Sequence, residues 1–275
     1  MNKSVYEDLM SAIKAIGPYC SAKKHPDPTS QYFYTTEFYN EGWMLKLVLA
    51  RLLECQARNL SKELQCIRDS VAKGWMSEGR LSAAFTHEQC THADAVLGDV
   101  ERRPKTKWGV QLKEGAGDFT VIEAKLGSTL AKQTKNAKFD QAARNLACMA
   151  YALMSSRKEN QVINAHFYVV MPKDDKRYKQ VESQFDKNGF EVKDRVRKEV
   201  HKNNAEHQLI QAINKDTFIK LVNSIDCCLL TWDDICKQLG DKDLFDYYTR
   251  AVNANGIRLT DMTSSCLPSL NCKAV

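Results

Sequence analysis

The chain has 275 residues, which is long enough for one sizeable domain or for a core domain with additions. Hydrophobic residues make up 43% of it and charged residues 27%, which are ordinary fractions for a soluble globular protein. No apolar run approaches the roughly 18 to 20 residues that a membrane span needs. The N-terminus also lacks the apolar segment of a secretory signal, so a cytoplasmic location is expected.

The alternation of apolar patterns predicts a mixed α/β protein. Helices follow from apolar residues three and four positions apart, and strands from short apolar or alternating runs. In chain order, the predicted elements are a helix over 3–16, a loop over 19–34, helices over 36–58 and 61–73, strands over 80–92, 93–100, 108–113 and 121–126, a helix over 139–155 and a strand over 165–171. The last hundred residues continue less regularly, with helices over 177–188 and 216–224, a strand over 227–231, one or two helices over 233–251 and a loosely ordered tail after residue 259.

Cysteine usage argues against a structural metal site. Ten cysteines are spread along the chain, and no two of them have the Cys-x-x-Cys spacing of zinc or iron–sulfur ligands. The group His87, Cys90 and His92 has ligand-like chemistry but lacks a convincing fourth ligand. Several cysteines instead lie within apolar patterns, where a reduced cysteine behaves as a small hydrophobe.

The positive charge is concentrated in one segment. The net charge is +6, and residues 101–138 alone carry nine Lys or Arg against four Asp or Glu. Such a surplus suits a polyanionic partner such as nucleic acid. A solvated lysine-rich surface is the alternative interpretation.

One predicted strand, residues 121–126, carries an acid and a base inside an apolar run. Residues two apart in a strand point to the same face, so Glu123 and Lys125 project side by side. Isolated charges are costly to bury, and this pair therefore needs a partner or a metal ion. A salt bridge at the edge of a sheet is the simpler interpretation.

An acid is also predicted to point inward from the helix over 36–58. Glu41 lies four residues before Leu45, the first residue of that helix's apolar stripe. A carboxylate is unexpected on a packed face. Attraction to the helix dipole is an alternative, which accounts better for Glu37 than for Glu41.

The order of these elements and polar residues resembles the PD-(D/E)XK nuclease superfamily, the restriction-endonuclease-like fold. The resemblance covers roughly residues 36–172. It rests on Glu123-Ala124-Lys125 in its apolar strand, on Asp94 at the start of a neighbouring strand, and on the helix FDQAARNLACMAYAL. It implies a core of a helix, a three-stranded antiparallel meander, a helix and a strand, with extra helices at both ends. Residues 1–35 would then be an N-terminal helix and loop, and 173–275 an α/β extension packed on the same domain.

The resemblance implies a metal-dependent endonuclease that acts on nucleic acid, with DNA the expected substrate. Asp94, Glu123 and the Ala124 carbonyl would hold Mg²⁺, with Mn²⁺ able to substitute, and Glu41 would bind the metal directly or through water. Lys125 would orient the attacking water, and Gln141 would position Lys125 or a phosphate oxygen. The residues that would contact the nucleic-acid backbone are Arg102, Arg103, Lys105, Lys107, Lys132, Lys135 and Lys138. A homodimer would suit cleavage of both strands.

The aspartate departs from the family pattern. Asp94 precedes Glu123 by 29 residues, which requires an insertion or a long hairpin between the two strands. Asp99 is an alternative at the far end of its strand, and Asp118 has the wrong parity to share a face with Glu123. Two rival hypotheses follow: a non-catalytic module of the same fold, and an unrelated α/β enzyme in which Asp94 and Glu41 lie far from a Glu123–Lys125 salt bridge.

Overall fold

The structure of the protein, a computed structural model, describes residues 4–17, 20–21, 33–55, 59–85, 91–128, 130, 140–156, 163–202 and 214–257. The helices are α1 Val5–Ile16, α2 Thr35–Phe38, α3 Glu41–Glu54, α4 Lys62–Lys73, α5 Gln141–Ser156, α6 Tyr178–Val200, α7 Lys215–Ser224, α8 Trp232–Leu239 and α9 Lys242–Ala254. The strands are β1 Cys20–Ser21, β2 Phe33–Tyr34, β3 Trp75–Leu81, β4 Thr91–Gly98, β5 Val100–Arg102, β6 Val110–Leu112, β7 Asp118–Ala124, β8 Asn164–Met171 and β9 Asp226–Thr231.

A five-stranded mixed sheet forms the centre of the molecule, in the order β3-β4-β7-β8-β9. The first three strands are antiparallel neighbours, whereas β8 runs parallel to β7 and β9 parallel to β8. A parallel connection requires a crossover, and α5 provides it between β7 and β8. The α/β class predicted from the sequence is confirmed.

Helices cover both faces of the sheet. On one face, α1, α3, α4, α8 and α9 enclose a core that includes Leu47, Leu49 and Trp232. On the other face, α5, α6 and α7 pack over Phe167 and Phe218. Alternate residues of β7 enter the two cores, and the whole strand is buried for that reason. Any charged residue in β7 must therefore find its partners inside the protein.

The hairpin β5–β6 is inserted between β4 and β7 and forms a separate two-stranded sheet. The strand predicted over 108–113 therefore exists in part, but it pairs with β5 instead of joining the central meander. The first strand, predicted over 80–92, is wrong in position, because β3 is Trp75–Leu81. Most residues of β3 are at least partly exposed, so its sequence lacks the apolar alternation that identifies a half-buried strand.

The helix predicted over 36–58 is divided. Asn40 adopts an extended conformation between α2 and α3, and its side chain accepts a hydrogen bond from the N–H of Trp43 at 3.0 Å. This N-cap starts a new helix at Glu41. The predicted helix 177–188 and the charged stretch after it together form α6, which is interrupted at Asp186–Gly189.

The other predicted helices and strands agree with the structure to within a few residues, namely α1, α4, β4, β7, α5, β8, α7, β9, α8 and α9. The predicted tail after residue 259, most of the predicted loop 19–34, and Lys132, Lys135 and Lys138 lie outside the described residues. In the described part of the chain, no helix has the length and apolarity required to cross a membrane.

Candidate active site

Asp94 and Glu123 face each other on adjacent antiparallel strands. Ala95 of β4 is paired with Ile122 of β7, and Asp94 and Glu123 are the adjoining residues on the two strands, close enough for each carboxyl to influence the pKa of the other. Asp94 Oδ2 also accepts a hydrogen bond of 2.7 Å from the N–H of Ala124. The 29-residue spacing is explained by the inserted hairpin β5–β6, which leaves the pairing of β4 with β7 intact. The hypothesis that Asp94 lies far from Glu123 is wrong.

Glu123 is fully buried and both of its carboxylate oxygens have partners. Oε1 accepts a hydrogen bond from the ammonium group of Lys125, and Oε2 accepts one of 2.8 Å from Asn145 Nδ2. Burial, with the charge of Asp94 as a second cause, raises the pKa of Glu123 to about 8, although Lys125 opposes the shift. The acid thus lies in a site where its charged form needs a cation.

Lys125 directly follows β7 and is 6% exposed. Burial alone would lower the pKa of its ammonium group, but the carboxylates of Glu123, Asp94 and Glu41 outweigh burial and raise the pKa. The backbone is held on both sides: its N–H donates to Val170 O at 2.8 Å, and its carbonyl accepts from Trp232 Nε1 at 3.0 Å. The Lys125 ammonium group is therefore charged, and hydrogen bonds fix the backbone that carries it.

Burial also raises the pKa of Asp94, with a further contribution from Glu78, while Lys125 and the N–H of Ala124 act in the opposite direction. Glu78 lies opposite Asp94 in the β3–β4 ladder, between the pairs Ser77–Ala95 and Gly79–Ala93. Its φ of 56° is in the left-handed region, which a side-chain-bearing residue inside a strand rarely adopts. Glu78 was not predicted as a site residue, because the residues around it lack the apolar alternation that predicts a strand.

Asn145 was also missed as a site residue. It is fully buried on α5, donates to Glu123, and accepts a hydrogen bond of 2.9 Å from Thr91 Oγ1. Gln141, the predicted residue of this helix, is the first residue of α5, and its backbone N–H donates to Leu130 O at 3.1 Å. Asn145 lies one turn after Gln141, and a polar residue inside an apolar stripe is the sequence signal that marks it as a candidate, although its contact with Glu123 is a tertiary one.

Glu41 starts α3 on the other face of the sheet. Its Oε1 accepts a hydrogen bond of 3.3 Å from Ser128 Oγ, and its charge contributes to the raised pKa of Lys125. Glu41 is half-buried, and it lies close enough to Lys125 to contribute to its electrostatic environment.

Asp99 and Asp118 lie at the opposite end of the sheet. Asp99 Oδ2 accepts hydrogen bonds from the N–H groups of Gly117 at 2.9 Å and of Asp118 at 3.1 Å. Its carboxylate is also 3.6 Å from Lys73 Nζ. Asp99 therefore stabilises the base of the inserted hairpin, and Asp94 is the aspartate next to Glu123.

The described basic residues of the predicted nucleic-acid surface are in or beside the β5–β6 loop. Arg102, Lys105 and Lys107 are exposed, whereas Arg103 is half-buried and donates a hydrogen bond to Ser82. The loop contacts β3 through a hydrogen bond of 2.8 Å from the N–H of Arg80 to Trp108 O.

Within the described ranges, no group of three or more His, Cys, Asp or Glu side chains is arranged to hold a metal ion. Two neighbouring carboxylates, Asp94 and Glu123, are nevertheless compatible with Mg²⁺. This ion is usually bound through one or two carboxylates and completes its coordination with waters and substrate phosphates. Mutual repulsion between the buried Glu123 carboxylate and the half-buried Asp94 carboxylate is the kind of electrostatic cost that a cation relieves.

No protein-family model, curated protein or solved structure matches the chain. Function is therefore inferred from the residues around Glu123. They combine one buried acid, Glu123, one half-buried acid, Asp94, one charged lysine held at its backbone, and one amide that fixes Glu123. Such a group can bind a cation, orient a water molecule and stabilise negative charge on a substrate.

Proposed function

We propose that the protein is a metal-dependent nuclease that hydrolyses phosphodiester bonds, with DNA as the expected substrate. The observation that carries the proposal is the position of Asp94 beside Glu123, with the Lys125 ammonium hydrogen-bonded to Glu123. The order of elements also supports a PD-(D/E)XK-like core, since α3 and α4 precede three antiparallel strands, which are followed by α5 and the parallel strand β8.

Asp94 and Glu123, with the carbonyl of Ala124, would hold Mg²⁺ or Mn²⁺, and Glu41 would bind the same ion directly or through a water molecule. The bound metal would lower the pKa of a coordinated water and polarise the scissile phosphate. The raised pKa values of both carboxyl groups support this assignment, because a nearby cation would favour their charged forms.

Lys125 supplies positive charge at the same place. Its raised pKa keeps the ammonium protonated at neutral pH. A fixed ammonium group in a buried site stabilises charge that develops on the phosphate oxygens and orients a water molecule for attack. Asn145 holds Glu123, and the hydrogen bonds of the Lys125 backbone to Val170 and Trp232 hold the lysine. A preorganised site of this kind needs little rearrangement when charge develops.

The exposed cations of the β5–β6 loop would bind the substrate. Phosphate contacts by Arg102, Lys105 and Lys107 carry affinity without sequence information. Lys132, Lys135 and Lys138 remain predicted contacts of the same type.

A non-catalytic nucleic-acid- or protein-binding module of the same fold is the second candidate. The observation that favours it is that Lys125 and Asn145 already satisfy both oxygens of Glu123. A permanently formed hydrogen bond between Lys125 and Glu123 would support the fold without chemistry. A module would bind nucleic acid equally well with and without Mg²⁺.

The deciding experiment incubates plasmid and linear DNA with the protein and Mg²⁺ or Mn²⁺, beside the variants Lys125→Met and Asp94→Asn. Each variant is expected to lower the cleavage rate by about 100-fold or more, because each removes charge from the reacting centre. Wild-type thermal stability is also expected to rise with metal concentration, and Asp94→Asn is expected to abolish that rise.

The chain offers matched controls. Lys193 is a second lysine with 6% exposure, and Asp233 is a buried aspartate whose pKa, like that of Asp94, is raised by burial. Lys193→Met and Asp233→Asn test the general effect of removing a buried charge, and both should retain cleavage. Cleavage that survives Lys125→Met would refute the mechanism, and metal-independent DNA binding without cleavage would establish the module.

A further inference from the structure

The loop between β5 and β6 presents an exposed tryptophan among cations. Trp108 is 47% exposed, which is unusual for so large an aromatic side chain. The ammonium group of Lys107 lies 5.0 Å from the centroid of its ring. Residues 102–113 contain five Lys or Arg and no Asp or Glu. An aromatic surface and a positive field therefore occupy the same place.

Internal hydrogen bonds hold this loop in one conformation. Thr106 Oγ1 donates to Arg103 O at 2.7 Å and accepts from the N–H of Gly109 at 3.1 Å. The N–H of Arg103 donates to Gly109 O at 2.8 Å, which closes the loop at its base. A loop that is already ordered loses little conformational entropy when a ligand binds.

The loop is anchored close to the candidate active site. Trp108 O accepts a hydrogen bond from Arg80, and Arg80 is paired across the sheet with His92, two residues before Asp94. Trp108 and Asp94 are separated by two inter-strand spacings of about 4.8 Å each and, at right angles to these, by two residues of strand, or about 7 Å, so their backbones lie roughly 12 Å apart. One bound strand of nucleic acid can reach both places.

We propose that Trp108 is a stacking platform for an unpaired base, and that the preferred substrate of the proposed nuclease contains a single-stranded segment. An indole ring stacks on the face of any base, and a neighbouring ammonium group binds the adjacent phosphate. In a duplex the faces of the bases are covered by their neighbours, so such a platform engages an unpaired nucleotide. The inference rests on the proposed function for its choice of ligand, and the shared chemistry is that of single-stranded DNA and RNA.

The test measures binding of fluorescently labelled single-stranded DNA, single-stranded RNA and duplex DNA in EDTA, where no metal-dependent cleavage takes place. Trp108→Ala is expected to weaken single-strand binding by about 5- to 150-fold, which corresponds to the stacking of one base. Trp108→Phe should retain most of the affinity, because it keeps an aromatic face. Lys107→Ala should flatten the salt dependence by about 0.7 in slope, as expected for one phosphate contact.

Trp75 provides the matched control. It is a second exposed tryptophan, 36% exposed, but it pairs with Leu97 at the other end of β3. Trp75→Ala should leave binding within about twofold of wild type, since it removes no base stacking. Equal losses in the two alanine variants, no loss in Trp108→Ala, or an equal loss for duplex DNA would overturn the proposal. Binding is measured in EDTA, so the two proposals are tested separately. A failed nuclease assay alone would not contradict base stacking on Trp108, and a failed stacking test would not contradict the nuclease.

Discussion

Glu123 lies at a buried position where ionisation of its carboxyl group costs free energy. It lies in a strand that is buried on both faces, and three polar groups surround it: Lys125 just after the strand, Asn145 on α5 and Asp94 on β4. Buried acids without full compensation prefer the neutral form. The raised pKa of Glu123 is therefore a property of its site, and it has a measurable effect on stability.

Stability is expected to fall as pH rises from about 4.5 to about 8. Over this range, the unfolded chain has lost the Glu123 proton, whereas the folded protein, in which the pKa is raised from 4.5 to about 8, still holds it. The contribution is fully present below the unfolded pKa and is lost as pH rises through the folded one, with a slope of at most about 1.4 kcal/mol per pH unit. Urea unfolding in EDTA at several pH values measures it, and Glu123→Gln should reduce the slope.

Glu182→Gln is the control for this prediction. The carboxyl of Glu182 is exposed, and a hydrogen bond from Lys179 lowers its pKa, so it contributes no fall between pH 5 and 8. A Glu123→Gln variant with the same pH dependence as wild type would show that Glu123 is ionised in the folded protein throughout this range.

At the scale of elements, the interruption of α6 protects the edge of the sheet. Lys187, Asn188 and Gly189 all have φ between 50° and 70°. This conformation brings Asn188 Oδ1 to the N–H of Cys227 at 2.5 Å, where β9 is the last strand of the sheet. An edge strand whose backbone is covered is less able to pair with another chain.

Gly189→Ala is expected to destabilise the protein by about 2–4 kcal/mol, because the left-handed conformation disfavours a side chain and the new methyl group overlaps its neighbour. A Cβ at Gly189 would lie 2.6 Å from Cys227 Cβ. Gly115 has φ of 75° with nothing within 4 Å of such a Cβ. Gly115→Ala should therefore cost only about 1 kcal/mol, as backbone strain alone. Chemical denaturation of both variants compares the two effects, and equal losses would contradict the role of Cys227.

At the scale of the whole molecule, the C-terminal elements contribute directly to the candidate site. β9 extends the central sheet, and α8 buries Trp232 against the core on the α3 face. The indole N–H of Trp232 holds the carbonyl of Lys125, 107 residues earlier in the chain. The region predicted to be an extension therefore helps to position the lysine.

Trp232→Phe is expected to lower stability by about 1–3 kcal/mol, because it leaves the buried Lys125 carbonyl without that donor. Under the proposed function it should also lower kcat with little change in KM, since Lys125 acts on the reacting centre. Tyr248→Phe is the control: it removes a hydrogen bond of 3.0 Å to Asp233 Oδ2, elsewhere in the same region. Equal cleavage by the two variants, at similar stability, would contradict a positioning role for Trp232.

The sequence by itself determined most of the local structure and the first members of the site. Helical and strand periodicity depends on neighbouring residues, so α1, α4, α5, β8 and β9 were predictable from apolar spacing. Glu123 and Lys125 were identifiable as candidate site residues because charges inside an apolar strand are costly to bury without a partner or a metal ion. Strand β3 was misplaced because its exposed residues carry no apolar pattern.

Only the tertiary structure decided which aspartate faces Glu123 and which side chains support it. Strand pairing selected Asp94 over Asp99, since the hairpin β5–β6 is excluded from the sheet. Asn145 and Trp232 reach Glu123 and Lys125 across 22 and 107 residues of chain. Contacts at such separations depend on how the elements pack against one another, and no local pattern in the sequence encodes that packing.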